Sequence, residues 1–165
     1  GSVIISTVEG TRPMLLELQA LVAPTNFGMA RRTSTGVDFN RVALLLAVLE
    51  KRIGLQIQNQ DVYINVVGGI KINEPSIDLG IVIAVASSFR NIPIASDIVV
   101  TGEVGLTGEI RAVSYIEKRI AECKKLGFKK IVIPRNNYEV VKDVKGIEII
   151  PVDNLRQAIN IVLRG

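Results

Sequence analysis

One serine of this chain stands where either a nucleophile or a helix cap is expected. Ser76 follows Pro75 at the end of a polar loop, and an apolar run over 81–86 begins a few residues later. A hydroxyl at the start of a buried helix can cap that helix, or it can attack a substrate. Attack requires a general base within hydrogen-bond reach. The functional question is therefore whether any residue can accept the proton of Ser76.

The chain offers few bases. It contains no histidine and a single cysteine, Cys123. This composition excludes Ser-His and Cys-His catalysis and an internal disulfide, and it disfavours a structural zinc site. A lysine can serve as the base only if burial lowers its pKa toward neutrality. The search for a base therefore moves to the helix predicted over 114–126, where Ile116, Ile120 and Cys123 define the buried stripe.

Helix geometry places an arginine near that stripe. At about 100° per residue, Arg119 lies about 60° from the centre of the stripe, whereas Lys118 points to the far side. Arginine stays protonated and cannot take a proton from Ser76. We therefore favour a helix cap for Ser76 and expect Lys118 to be solvated. The alternative is a working peptidase that pairs Ser76 with Lys118 or Lys71.

Hydrophobic periodicity predicts the elements that position these residues. Strands over 3–8 and 15–22 form a hairpin, and a loop follows over 26–36. Asp38 or Asn40 caps a helix that ends at Gly54. A strand over 62–67 precedes a helix over 77–89, which is apolar nearly all round and should be central.

The second half of the chain alternates strands and helices. Ser114 and Glu117 form a capping box for a helix that ends at Gly127, and Asp153 caps the last helix. The other predicted segments are strands over 97–100, 130–133 and 147–150, a tight turn over 101–109 and a short helix over 137–142. The pattern predicts an α/β (α+β) fold with a mixed sheet and packed helices in one domain over 1–165.

The remaining patterns argue against several functions. No glycine cluster forms a P-loop or a dinucleotide-binding fingerprint, so nucleotide binding is not expected. No apolar run approaches the ~20 residues of a membrane helix, and no secretory signal is visible. The net charge of +4 permits nucleic-acid binding without requiring it.

Several segments in a fixed order resemble a known family. The chain resembles the proteolytic domain of Lon proteases, and more closely the Lon-like C-terminal domain of the RadA (Sms) family of bacterial DNA repair proteins. The similar segments cover 9–13, 36–41 leading into 44–52, 67–69, 74–79, 101–109, and 127–128 with 133–134. The resemblance covers essentially the whole chain and implies a Lon-type fold.

The resemblance also bears on the chemistry at Ser76. Active Lon proteases carry Asp-Gly-Pro-Ser-Ala-Gly around the nucleophile, whereas this chain has Asn-Glu-Pro-Ser-Ile-Asp over 73–78. Asp78 places a carboxylate near a developing oxyanion, which opposes acyl transfer. In the same alignment the catalytic lysine falls on Arg119. The resemblance therefore implies a degenerate dyad, Ser76 with Arg119, and no proteolysis.

In this family the Lon-like domain is expected to form a hexameric ring beneath a RecA-like ATPase that drives branch migration and follows a zinc finger. ATP, magnesium and zinc would then belong to domains outside this chain, which would hold no cofactor. The expected partners are further copies of the chain, single-stranded or branched DNA and a recombinase, in the cytoplasm and away from membranes. The predicted DNA contacts are Arg31, Arg32, Arg41 and Lys71. Beside the DNA-binding domain and the peptidase, a third hypothesis is a purely structural oligomerisation module without DNA contact.

Overall fold

A seven-stranded mixed sheet runs through the molecule in a computed structural model that describes residues 1–26 and 28–163. The strands are β1 (Ser2–Glu9), β2 (Arg12–Pro24), β3 (Arg32–Thr35), β4 (Gln60–Val66), β5 (Ile98–Val100), β6 (Glu103–Val104), β7 (Ile110–Arg111), β8 (Lys130–Pro134) and β9 (Glu148–Val152). The sheet order is β3-β4-β2-β1-β5-β8-β9, and β6 pairs with β7 separately. The helices are α1 (Phe39–Val48), α2 (Asp78–Arg90), α3 (Ile116–Lys125) and α4 (Leu155–Val162). The predicted α/β fold with a mixed sheet is confirmed.

The strand directions bring distant parts of the chain to one edge of the sheet. β1 and β2 form the predicted antiparallel hairpin, and β4 runs antiparallel to β2. β1, β5, β8 and β9 are parallel to one another. β5 pairs with the middle of β1, where Ile4 lies opposite Val99 and Ile5 opposite Val100. Thr101, which follows β5, therefore comes close to Ser6 in β1.

Helix α2 is the centre of the core. Every residue over 78–87 is buried, and the helix packs against β1 and β2. Gly80 permits this close approach, because a Cβ there would overlap the side chain of Ile5. α1 and α4 pack beside α2. Alternate residues of a strand face opposite sides of the sheet. Ile4 therefore contacts a second apolar cluster, to which α3 contributes Ile116, Ile120 and Cys123.

Helix α1 begins and ends at residues that the sequence predicts. Asp38 caps it by accepting a hydrogen bond from the Arg41 N–H at 3.3 Å. A π-helical turn, Leu49–Ile53, continues the helix and stops at Gly54, which has a φ of 82°. Glycine suits that position because other residues rarely adopt a left-handed conformation.

The predicted loop over 26–36 is wrong in part, because it contains strand β3. The segment Arg32–Thr35 pairs in parallel with β4 at the edge of the sheet. Its four residues are polar, and only one face packs inward, so the apolar alternation that signals a strand is absent. Phe27, within the same predicted loop, lies outside the described residues.

The capping box at Ser114 and Glu117 is also wrong. Tyr115 precedes α3 in a left-handed conformation with a φ of 56°, and no side chain caps the helix. Likewise, Asn154 caps α4 in place of Asp153, since the Asn154 side chain accepts from the Gln157 N–H at 2.8 Å. The helix predicted over 137–142 is replaced by a 3-10 turn, Arg135–Asn137, followed by further turns.

In the part of the chain that the structure describes, no helix combines the length and the apolar character required to cross a membrane.

Candidate functional site

Arg119 of α3 is completely buried, and its guanidinium reaches Ser76. Its side chain is 0% exposed. Nη1 donates to the Ser76 hydroxyl at 3.1 Å and to the Ser6 carbonyl at 2.9 Å, and Nε donates to the Ser114 carbonyl at 2.7 Å. The left-handed turn at Tyr115 immediately follows that last carbonyl. Helix periodicity therefore placed Arg119 on the correct face.

Glu74 neutralises the buried guanidinium. Nη2 of Arg119 donates to Oε1 of Glu74 in an ion pair. The other carboxylate oxygen, Oε2, accepts from the Val8 N–H at 2.7 Å and from the Thr7 hydroxyl at 3.3 Å. A buried charge is tolerated when it is paired and hydrogen-bonded in this way. The pair also ties the loop before α2 to the end of β1.

The surroundings of Glu74 fix its ionisation. Burial by itself would raise the pKa of Glu74, but the Ser76 hydroxyl, the Arg119 guanidinium and the Val8 N–H around it together hold the pKa below its ordinary value. A carboxylate with a lowered pKa is a weak proton acceptor. Glu74 is thus well suited to hold Arg119 and poorly suited to activate Ser76.

Ser76 does not cap a helix, so that prediction is wrong. It lies within a 3-10 turn, Pro75–Ile77, that precedes α2, and no side chain caps either element. Its hydroxyl donates to the Ser6 carbonyl at 3.2 Å, and its own carbonyl accepts from the Gly102 N–H at 2.9 Å. These bonds join the turn to β1 and to the segment after β5.

A second ion pair lies on the other side of Ser76. Asp78 is 0% exposed and accepts from Nε of Arg41 at 2.9 Å and from the Val104 N–H at 3.1 Å. A further bond from Nη2 of Arg41 completes the pair. The hydrogen bond to Asp78 raises the pKa of Arg41. Carboxylates at 74 and 78 thus hold the Ser76 turn on both sides.

Sequence reasoning missed both carboxylate partners. The available signal was Asp78 itself, because a charged residue at the start of an all-apolar helix is rarely buried unless it is paired. The identity of its partner depends on a contact 37 residues away in the chain. Periodicity within one element cannot supply such a contact.

The space beside Ser76 is small and acidic. Ser76 is 3% exposed. The adjoining cavity has a volume of about 150 Å³, and the carboxyl-bearing residues Glu74 and Glu103 line it. The Arg119 guanidinium offsets the charge of Glu74 in this lining, and Asp78, which is paired with Arg41, does not line the cavity.

The two lysines of the peptidase alternative have other surroundings. Lys118 is exposed, as expected, and its Nζ donates to the Thr11 carbonyl at 3.1 Å. Lys71 is exposed and lines a separate cavity with Asp38. Among the residues that the structure describes, neither lysine hydrogen-bonds to Ser76.

The structure separates the four basic residues predicted to contact DNA. Arg31 and Arg32 lie at the start of β3, and Arg32 approaches Glu50 of the π-helical turn at 3.7 Å. Arg41 and Lys71 lie at the opposite end of α1. Arg31 and Lys71 are exposed, whereas Arg32 and Arg41 already have carboxylate partners. The four residues therefore form two groups and no continuous patch.

Comparisons with known proteins show which family the chain belongs to. A family model described as subunit ChlI of Mg-chelatase matches residues 27–137. The DNA repair protein RadA of Bacillus subtilis is 55% identical over 165 residues, which are 100% of this chain and 36% of that relative. RadA of Halalkalibacterium halodurans is 52% identical and RadA of Listeria monocytogenes 50%, over 99% and 96% of this chain and 36% and 35% of each relative. The chain spans about a third of the length of these curated relatives.

The fold and the site together define a Lon protease-like α/β domain in which a buried arginine, Arg119, donates a hydrogen bond to the buried Ser76. The chain belongs to the ChlI family, since the family model covers more than half of it. The predicted resemblance to the RadA-type DNA repair proteins is confirmed across the whole chain.

Proposed function

We propose that this chain is a non-proteolytic Lon-like domain of a RadA-type DNA repair ATPase. In this proposal the domain assembles into a homo-hexameric ring and contacts DNA while the ATPase drives branch migration. The similarity to DNA repair proteins named RadA supports the general role. The ATPase, its nucleotide and metal ions, a recombinase partner and a cytoplasmic location belong to the same proposal.

A single observation carries the non-proteolytic part. The group that faces the Ser76 hydroxyl is the Arg119 guanidinium, at 3.1 Å. It donates to the hydroxyl and has no lone pair with which to accept a proton. Glu74 is the nearest alternative base, and its lowered pKa makes it a weak one. The Ser76 hydroxyl therefore remains a hydrogen-bonding group that joins elements.

A peptidase assay tests this part. We expect no cleavage of casein or of unfolded peptides by the purified chain, and Ser76→Ala should change nothing in the assay. Arg119→Lys is the informative companion variant, because it places an amine capable of losing its proton at the position of the guanidinium. Cleavage by the unmodified chain that disappears in Ser76→Ala would contradict the proposal.

The DNA part is supported by the exposed basic residues. Arg31 and Lys71 are accessible to phosphates, whereas Arg32 and Arg41 must give up internal partners before they can bind. We therefore expect Arg31→Ala with Lys71→Ala to weaken binding of single-stranded DNA and to reduce its salt dependence. Fluorescence anisotropy at several salt concentrations measures both quantities. Lys125→Ala is the control, because it removes an exposed charge from α3 on the other face of the sheet.

The proposal assigns no cofactor to this chain. Within residues 1–26 and 28–163, no group of three or more His, Cys, Asp or Glu side chains is arranged to hold a metal ion. Glu74 and Asp78, which sit closest to Ser76, are each occupied by an arginine. Isothermal titration with Mg-ATP tests this assignment, and binding in the micromolar range would contradict it.

A further inference from the structure

Two exposed arginines meet where the π-helical turn contacts the start of α4. Arg52 lies near the end of that turn, and Arg156 lies in the first turn of α4. Nη2 of Arg156 donates to the Arg52 carbonyl at 3.0 Å, and Nε of Arg52 donates to the Leu106 carbonyl at 3.2 Å. Each guanidinium is therefore anchored at one position by a backbone carbonyl.

Neither arginine is neutralised by an acidic residue. In the part of the chain that the structure describes, no salt bridge involves Arg52 or Arg156. The carboxylates on adjoining segments have other partners, namely Glu50 with Arg32 at 3.7 Å, Glu109 with Arg111 at 3.4 Å and Asp153 with Arg135 at 3.3 Å. Lys51 is exposed beside Arg52 and adds a further positive charge.

Such a pair is suited to phosphate. A guanidinium has five N–H donors, and most of those on Arg52 and Arg156 remain unused. Because a backbone contact already restrains each side chain, less conformational entropy is lost when an anion binds. A planar fork of N–H groups matches two oxygens of one phosphate.

We propose that Arg52 and Arg156 bind the phosphate backbone of a nucleic-acid strand. This inference rests on the proposed function, which makes DNA a ligand of the domain, but it uses residues other than Arg31 and Lys71. A nucleic-acid strand presents an anionic phosphate at every nucleotide whatever its sequence, so two adjacent cations suffice without base readout.

The position of the pair extends the basic surface at one end of α1. Arg32 contacts Glu50 in the same π-helical turn that carries Arg52. Arg32 therefore borders the turn from one side, and Arg156 borders it from another. Arg41 and Lys71 lie at the far end of α1, so Lys71→Ala alone tests that end.

The test compares variants of the whole chain in fluorescence anisotropy with labelled oligo(dT) of about 30 nucleotides, longer than the usual site of a single-strand binding domain. Removing two phosphate contacts from a single strand should reduce the slope of log K against log[salt] by about 1.4. We expect Arg52→Ala with Arg156→Ala to show that loss, with binding about 25-fold weaker at 0.1 M salt, because these contributions vanish near 1 M. Arg52→Lys with Arg156→Lys keeps the charges and should retain the slope. Lys125→Ala should behave as the unmodified chain.

The outcomes separate this inference from the proposed function. If the double alanine variant binds normally while Arg31→Ala with Lys71→Ala binds weakly, the inference fails and the DNA role stands. If the unmodified chain does not bind oligo(dT) at low salt, both fail. If polyglutamate binds the unmodified chain more tightly than oligo(dT) of equal charge, and Arg52→Ala with Arg156→Ala loses that binding, the inference is overturned. Thermal melting of both double variants confirms that each is folded.

Discussion

Arg119 and lysine differ in the one property that decides the chemistry at Ser76. A lysine amine can lose its proton when buried, but a guanidinium keeps its charge in any folded protein. The permanently charged Arg119 forms an ion pair with Glu74 and donates hydrogen bonds to the carbonyls of Ser6 and Ser114. The site is therefore an ion pair that holds three elements together.

Removing the buried guanidinium should be costly. Arg119→Met leaves the Glu74 carboxylate without its partner and the Ser6 and Ser114 carbonyls without their donor. We expect a loss of about 3 kcal/mol in the free energy of unfolding, measured by urea denaturation. Lys118→Met on the exposed face of the same helix is the control and should change stability by less than about 0.5 kcal/mol. Equal effects of the two substitutions would count against the pair.

Glu74 makes stability depend on pH in a stated direction. Its pKa in the folded chain lies below the ordinary value, so the unfolded state binds more protons as the pH falls. The contribution is complete above the ordinary carboxyl pKa of about 4.3 and is lost as the pH falls through the lower folded value. Urea unfolding between about pH 7 and pH 3 measures it. Glu74→Gln should flatten this acid limb relative to Glu117→Gln, and identical limbs would disprove the assignment.

Elements were predicted well where periodicity is strong and poorly where a single residue decides. Helix α2 and the β1–β2 hairpin follow from long apolar patterns. The cap of α4 was assigned one residue too early, because Asp153 and Asn154 are both good caps and only backbone conformation separates them. Strand β3 was missed because an edge strand with polar residues carries no apolar alternation.

The cap of α4 gives a paired test at adjacent positions. Asn154→Ala removes the side-chain oxygen that accepts from the Gln157 N–H, so we expect a loss of about 1 kcal/mol in urea denaturation. Asp153→Ala removes only an exposed contact with Arg135 at 3.3 Å and should cost less than about 0.5 kcal/mol. The reverse order would show that Asp153 is the cap after all.

The contacts between elements could not be predicted from the sequence. Periodicity placed Arg119 inward and Lys118 outward, and the structure agrees with both. The partner Glu74 lies 45 residues away in the chain, in the loop before α2, and only the tertiary fold brings it to Arg119. Periodicity therefore predicts which face of a helix is buried, but it does not predict which residues that face contacts.

At the scale of the whole molecule, the proposed ring predicts a mass. Light scattering should give about six times the 17.9 kDa of one chain, with the larger species favoured at higher protein concentration. Single-stranded DNA should shift the distribution toward the ring if it binds the assembled form better. A single-chain mass at every concentration, with and without DNA, would remove the assembly part of the proposal for the isolated chain.

The bond from Arg119 to the Ser6 carbonyl joins residues that are 113 positions apart. Contacts of such separation form only after most of the polypeptide has collapsed, because closing long loops costs entropy before it returns any enthalpy. During synthesis on the ribosome, Glu74 and Ser76 therefore lack their partner Arg119 until α3 has emerged. Protection of the Val8 amide from hydrogen exchange should then report opening of the entire domain and not local fraying.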